Sequence, residues 1–158
     1  MTEFWSGLAG GFLGAGSGGI VAAVVALTLD PLRRLETRRD GILQLMLEQL
    51  ANVKQLGSSY WRAEYSSGSL PLRQASQEII AILHSLQKDA QDLFEHSDKD
   101  RAYILGQIGR LRMTITGGDF GDENAVEDHE RVIDLRIGAD DLARDLRNRR
   151  DALKRRFY

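Results

Sequence analysis

The beginning of the chain has a different pattern of hydrophobic and polar positions from the rest. From Phe4 to Leu29 every side chain is apolar, small or neutral, and none is charged. At about 1.5 Å of rise per helical residue, roughly 20 such residues cross the hydrocarbon core of a bilayer. A cleaved signal peptide would need a basic start and a shorter apolar core. The pattern therefore predicts a transmembrane helix.

The charges beside this segment predict its orientation. Arg33, Arg34, Arg38 and Arg39 follow it, whereas no lysine or arginine precedes it. Because positively charged flanks stay in the cytoplasm, we expect an inner-membrane protein with its N-terminus outside and the rest of the chain in the cytoplasm. The predicted domains are an anchor, residues 1–30, and a cytoplasmic domain, residues 31–158.

Small residues in the predicted span recur every fourth position. The two resulting ladders are Gly7, Gly11, Ala15, Gly19 and Ala23, and Gly10, Gly14, Gly18, Ala22 and Ala26. Faces of this kind allow close packing of helices in lipid, and the pattern resembles a glycine zipper. It predicts a homo-oligomer. The predicted oligomerisation residues are Gly7, Gly10, Gly11, Gly14, Gly18, Gly19 and Ala22.

The remaining chain carries four amphipathic patterns of helical period. They predict helices at about residues 31–65, 72–95, 97–115 and 125–156, joined by short loops. This favours an all-α fold in which one N-terminal transmembrane helix precedes a cytoplasmic antiparallel four-helix bundle. The core positions predicted for the last three helices are Leu72, Ile79, Leu83, Leu86, Ala90, Leu93, Ile104, Ile108, Leu111, Ile115, Val132, Leu135, Ala139, Leu142, Leu146, Leu153 and Phe157.

Local signals divide these helices. Asp30 followed by Pro31 is typical of a new helix start. Residues 57–59 indicate a break or kink before the aromatic group at Tyr60, Trp61 and Tyr65. Residues 97–100 have the spacing of a capping box. We interpret the aromatic residues as a lid on the core; a binding patch is the alternative.

The end of the last predicted helix is basic. In an up-down bundle whose first helix runs away from the membrane, the fourth helix runs back toward the membrane. The basic C-terminal end of that helix would then contact anionic lipid. A solvated helix end whose cations suit the C-terminal dipole is the alternative. The predicted membrane-surface residues are Arg33, Arg34, Arg149, Arg150, Lys154, Arg155 and Arg156.

Composition restricts the chemistry. The net charge of −2 gives no strong nucleic-acid signal and argues against a generally basic nucleic-acid binder. The chain has no cysteine, which excludes thiolate zinc sites and thiol nucleophiles. Its three histidines, His84, His96 and His129, lack a partner at helical ligand spacing. We predict no metal and no cofactor.

Two motifs resemble enzyme signatures. Gly117-Gly118-Asp119-Phe120 is similar to the signature of diguanylate cyclases, but those enzymes need a βα domain and this chain predicts no strands. We interpret it as a left-handed helix stop, with Phe120 packed against the bundle. Asn124 and His129 have the polar-x4-His spacing of HEPN-type RNases, which are also helical bundles. The carboxylates around them would repel an RNA backbone.

The leading hypothesis is a non-enzymatic single-pass membrane protein that self-associates through its span. Its helical domain senses or docks an unknown cytoplasmic protein, and association of the spans could open a pore. In outline this plan resembles small bacterial membrane effectors and accessory proteins. A monomeric membrane tether or scaffold and a membrane-anchored HEPN-like RNase are the alternatives.

Overall fold

The chain is all-helical wherever its structure is described. A computed structural model describes the backbone of residues 4–62, 70–118, 120–121 and 127–156, and the side chains of residues 33–62, 72–118, 120–121 and 127–155. Within these ranges there are four helices and no strand. They are α1 (Phe4–Trp61), α2 (Leu70–Leu93), α3 (Asp98–Thr116) and α4 (His129–Arg156). The predicted all-α class is confirmed.

The chain forms two compact units, Met1–Asp40 and Gly41–Tyr158. In the N-terminal unit the described side chains are those of residues 33–40. Leu35 is exposed there, although its spacing from other apolar residues predicts a place on the packed face of the helix at residues 31–65. The predicted span and its glycine ladders lie outside the described side chains. Within the described residues, none of the helices combines the length and apolar character that crossing a bilayer requires.

Helix α1 runs through both positions at which the sequence indicated a break. It includes Asp30 and Pro31, and it continues through residues 57–59 to Trp61. Gly57 is buried and faces α4, because a Cβ atom there would come within 2.5 Å of Leu135 Cδ1. The glycine at this position therefore permits close packing of two helices.

In the C-terminal unit, α1 and α4 run in opposite directions. Lys54 Nζ lies 2.7 Å from Asp140 Oδ1, and one turn further along α1 the Ser58 hydroxyl accepts a 3.3 Å hydrogen bond from Arg136 Nε. The backbone N–H of Asp128 donates to the Trp61 carbonyl at 2.9 Å. Residue numbers rise along α1 as they fall along α4, so the two helices are antiparallel.

The other pairings complete the bundle. Asp100 and Tyr103 of α3 bind Arg149 and Asp145 of α4, so these two helices are also antiparallel. Helix α2 contacts α1 through Gln49, whose amide donates at 3.0 Å to a hydroxyl and a carboxylate of α2.

The interior of the bundle follows the hydrophobic periodicity. Every core position predicted for α2, α3 and α4 that the structure describes is buried, and Phe157 lies outside the described residues. Helix α1 contributes Met46, Leu50, Val53, Tyr60 and Trp61 to the same cluster. Because one stripe per helix accounts for nearly the whole cluster, the spacing of apolar residues was sufficient to predict it.

Two helix starts differ in detail from their predictions. Helix α4 begins at His129, four residues later than predicted, because the Asp128 carboxylate caps it by accepting from the Arg131 N–H at 2.9 Å. Ser97 is the N-cap of α3, as the capping-box spacing indicated, but its hydroxyl makes no capping bond. It donates instead to the Asp100 carboxylate at 2.6 Å.

Candidate functional site

One end of the bundle gathers the predicted membrane-surface residues of α4. Leu47 of α1 and Arg147 of α4 line one groove and so lie at the same level of the bundle. Because α4 is antiparallel to α1, the α4 residues after Arg147 lie near Gly41, where the C-terminal unit begins. The first turn of α3 lies there too, because Asp100 contacts Arg149. We call α4 residues 149–155 together with this turn the basic end.

Arg149 ties α4 to the start of α3. Its Nη1 donates to Asp100 Oδ1, and its guanidinium lies 3.6 Å from the centre of the Tyr103 ring. The Tyr103 hydroxyl in turn donates to Asp145 at 2.8 Å. A guanidinium stacked on an aromatic ring and bound to a carboxylate is held in one orientation, so Arg149 acts as a structural link between two helices.

The other basic residues of α4 differ in exposure. Arg150 is 2% exposed and is among the largest fully buried side chains of the described bundle. Lys154 is half-buried, Arg155 is exposed, and the side chain of Arg156 lies outside the described residues. In the N-terminal unit, Arg33 and Arg34 are exposed. Contact of these residues with lipid stays a prediction; on α4, Arg155 has the exposure that such contact requires.

Asp100→Ala is expected to lower the free energy of unfolding by about 2–3 kcal/mol, because it leaves Arg149 and the Ser97 hydroxyl without their carboxylate in a mostly buried site. Asp98→Ala is the matched control. It removes the same charge from the same helical turn, but the Asp98 side chain is 89% exposed and its pair with Arg101 is worth about 0–1 kcal/mol. Urea unfolding of the full chain in detergent measures both. Equal losses would contradict a structural role for the Asp100 contact.

The opposite end of the bundle is closed by three aromatic rings. Tyr60 and Trp61 meet edge to face with their centroids 5.1 Å apart, and Phe120 lies 4.7 Å from Tyr60. The indole Nε1 of Trp61 donates to the Ile115 carbonyl at 2.9 Å. These rings are packed together over the core, so the interpretation of Tyr60 and Trp61 as a lid, with Phe120 packed against the bundle, is confirmed.

Arg131 of α4 covers this aromatic lid. Its guanidinium carbon lies 4.1 Å from the centre of the Trp61 ring, and its side chain binds Asp128 and the Gly117 carbonyl. Gly118 has a φ of +61°, a left-handed conformation suited to glycine. In the segment that resembles a cyclase signature, Gly117 and Gly118 thus end α3 and Phe120 packs against the bundle, as interpreted. Asp119 lies outside the described residues.

The histidines are dispersed over the surface. All three are exposed, and His129 Nδ1 lies 3.2 Å from Glu127 Oε1. Asn124, the other half of the RNase-like spacing, lies outside the described residues. In the ranges that the structure covers, no three histidine, aspartate or glutamate side chains are close enough to hold a metal ion.

A groove between α1 and α4 was missed by the sequence analysis. It has a volume of about 360 Å³, and we call it the α1–α4 groove. Its lining consists of Leu47, Leu50, Ala51, Lys54, Gln55, Arg136, Ala139, Asp140, Ala143 and Arg147. Alanines beside a leucine-rich core stripe were the available signal, because small side chains leave a depression between adjoining helices.

Compared with known protein families, with curated proteins and with solved structures, the chain matches none of them.

Proposed function

We propose that this chain is a non-enzymatic, single-pass membrane protein of the inner membrane. Its segment from Phe4 to Leu29 anchors and self-associates, and its cytoplasmic bundle docks a protein partner. The observation that carries the proposal is the charge-free composition of this segment together with its two ladders of small residues. A segment of this length and composition is suited to a bilayer, and the ladders are suited to close helix packing within it.

The arrangement of the bundle supports the anchored orientation. The C-terminal unit begins at Gly41, and the basic end of α4 lies at the same end of that unit. Arg155 is exposed at this end and is suited to contact with anionic headgroups. Each such positive charge near an anionic membrane surface contributes about 1 kcal/mol to the free energy of membrane binding. Arg149 is bound to Asp100, and Arg150 is buried, so both take little part in this attraction.

The α1–α4 groove supports the docking half of the proposal. It is a concave surface with an apolar floor and a charged rim, and it lies along two helices whose core residues are fully buried. Clefts with these properties are the usual places for ligands and partner segments. A rigid helical scaffold would hold the groove in a defined shape for a partner.

The mass of the full chain in lipid nanodiscs tests this proposal. We expect a closed oligomer for the natural chain and a smaller species for the double variant Gly14→Leu with Gly18→Leu, because leucine side chains separate the helix backbones. Val21→Leu with Val25→Leu is the matched control, since both positions have the same spacing but lie outside the two ladders.

The possible masses separate the alternatives. An unchanged oligomer in the glycine variant would show that the ladders do not drive assembly. A monomer for the natural chain would overturn self-association and leave a membrane tether. If both double variants weaken the oligomer equally, close packing of the whole segment, and not the two ladders in particular, would drive assembly.

A further inference from the structure

We propose that the α1–α4 groove binds an amphipathic helix of a partner protein, one that carries carboxylates beside its apolar face. This inference deepens the proposed function and rests on it only for the premise that the bundle docks a protein. The groove itself is a property of the C-terminal unit.

The shape of the groove suits a helix. It runs between two antiparallel helices, and its lining on α4 extends from Arg136 to Arg147, which is about 16 Å at 1.5 Å per residue. That length covers three helical turns, enough for apolar anchors at i, i+3 or i+4, and i+7 of a docked helix. The floor offers five apolar residues: Leu47, Leu50, Ala51, Ala139 and Ala143.

Apolar surface continues beyond the groove on α4. Ile133 and Ile137 lie one turn apart and are 57% and 55% exposed. Their neighbours in sequence and along the helix include Arg136 and Asp140, which line the groove. An exposed apolar pair that flanks an apolar depression enlarges the surface that a docked helix would remove from water.

The charges of the rim specify an acidic partner. Lys54 is neutralised by Asp140, with both carboxylate oxygens within 2.9 Å of its Nζ. Among the described residues, Arg136 binds only the hydroxyl of Ser58, at 3.3 Å. Arg147 is exposed and has no hydrogen bond or ion pair with any residue that the structure describes. Two guanidinium groups therefore remain without a carboxylate, and complementary carboxylates would bind them through charge-assisted hydrogen bonds.

The same charges argue against a second copy of this chain as the occupant. In a two-fold symmetric contact the same patch lies on both sides of the interface. Two copies that met through the groove would bring Arg136 and Arg147 of one copy near those of the other, and like charges in such contacts are unfavourable.

Two synthetic peptides test the proposal on the full chain in zwitterionic phosphatidylcholine nanodiscs. Each is a hydrocarbon-stapled helix with leucines at i, i+3, i+4 and i+7; one carries glutamates beside this stripe and the other carries lysines. By fluorescence anisotropy we expect the glutamate peptide to bind and the lysine peptide to bind at least about tenfold more weakly. Raising the salt concentration should weaken the binding of the glutamate peptide, because salt screens the charges on the rim of the groove.

Charge reversal in the protein locates the binding site. Arg147→Glu should lower the affinity for the glutamate peptide about tenfold. Adding Arg136→Glu should make the protein bind the lysine peptide more tightly than the glutamate peptide. Arg110→Glu is the matched control, because it makes the same change at an exposed position of α3 and should leave both affinities unchanged. Circular dichroism of each variant reports whether the helices persist.

Three binding results would overturn the inference. In these, the glutamate peptide fails to bind the natural chain, binds the Arg147→Glu variant as tightly as the natural chain, or has its binding weakened as much by Arg110→Glu as by Arg147→Glu. A change in oligomer mass caused by Arg147→Glu would also overturn it, because the occupant would then be a second copy. Its failure is distinguishable from failure of the proposed function. Nanodisc mass reports assembly without any peptide, and peptide binding is measured whether the chain is monomeric or oligomeric.

Discussion

Replacing Trp61 by alanine is expected to lower the free energy of unfolding of the bundle by about 3–5 kcal/mol, the usual cost of deleting a large buried aromatic side chain. Trp61 is 3% exposed and packs against Tyr60 and Phe120. The truncation also leaves the Ile115 carbonyl without its indole donor and removes the ring beneath Arg131. One substitution would thus loosen contacts among α1, the end of α3 and the start of α4.

Two further variants separate the parts of this effect. Trp61→Phe keeps an aromatic ring but removes the donor to Ile115, so we expect a loss of about 1–3 kcal/mol. Met113→Ala removes a side chain that is 76% exposed and should change stability by less than about 0.5 kcal/mol. Urea unfolding of the full chain in detergent, followed by circular dichroism, measures all three. A loss for Trp61→Ala no larger than that for Met113→Ala would show that the lid does not stabilise the bundle.

The fold was predictable because its determinants are local in sequence. The period of apolar residues along each helix identified the buried stripe, from Ile79 in α2 to Leu146 in α4. The ends of α2, α3 and α4 were predicted to within four residues, whereas α1 runs through the helix start predicted at Asp30 and Pro31. Such signals need no knowledge of which helices become neighbours.

The role of each basic residue on α4 was less predictable because it depends on distant partners. Arg149 binds a carboxylate that lies 49 positions earlier in the chain, and in the sequence it looks identical to the exposed Arg155. Arg150 follows the buried Leu146 by four residues and so occupies the inward face, which overrides the usual preference of arginine for solvent. The number of charges in a segment therefore overestimates the number that its surface exposes.

The α1–α4 groove illustrates the same limit. Ala51 and Ala143 are unremarkable helix formers when each helix is considered alone. The depression arises because α1 and α4 place these small side chains beside each other, with Arg136 and Arg147 along the rim. A groove of this kind depends on which helices pair, and the periodicity of apolar residues along one helix does not determine that pairing.

Two arginines in the middle of the N-terminal segment are expected to prevent its insertion into membranes. In a span from Phe4 to Leu29, Ile20→Arg with Val24→Arg would place two guanidinium groups on one face of the helix within the bilayer. At about 3 kcal/mol per arginine, plus the apolar contribution that each replaced residue loses, the combined penalty is about 6–7 kcal/mol. Carbonate extraction of cell membranes should retain the natural chain in the pellet and release the variant.

The matched control makes the same chemical change on the bundle. Ile133→Arg with Ile137→Arg adds two arginines at the same spacing on exposed positions of α4, where no apolar environment opposes them. If the segment from Phe4 to Leu29 anchors the chain, this control should stay in the pellet. Release of both variants would attribute the effect to net charge or misfolding, and retention of both would contradict a transmembrane anchor in this segment. Because the control substitutions border the α1–α4 groove, retention in the pellet would also show that anchoring does not depend on this groove.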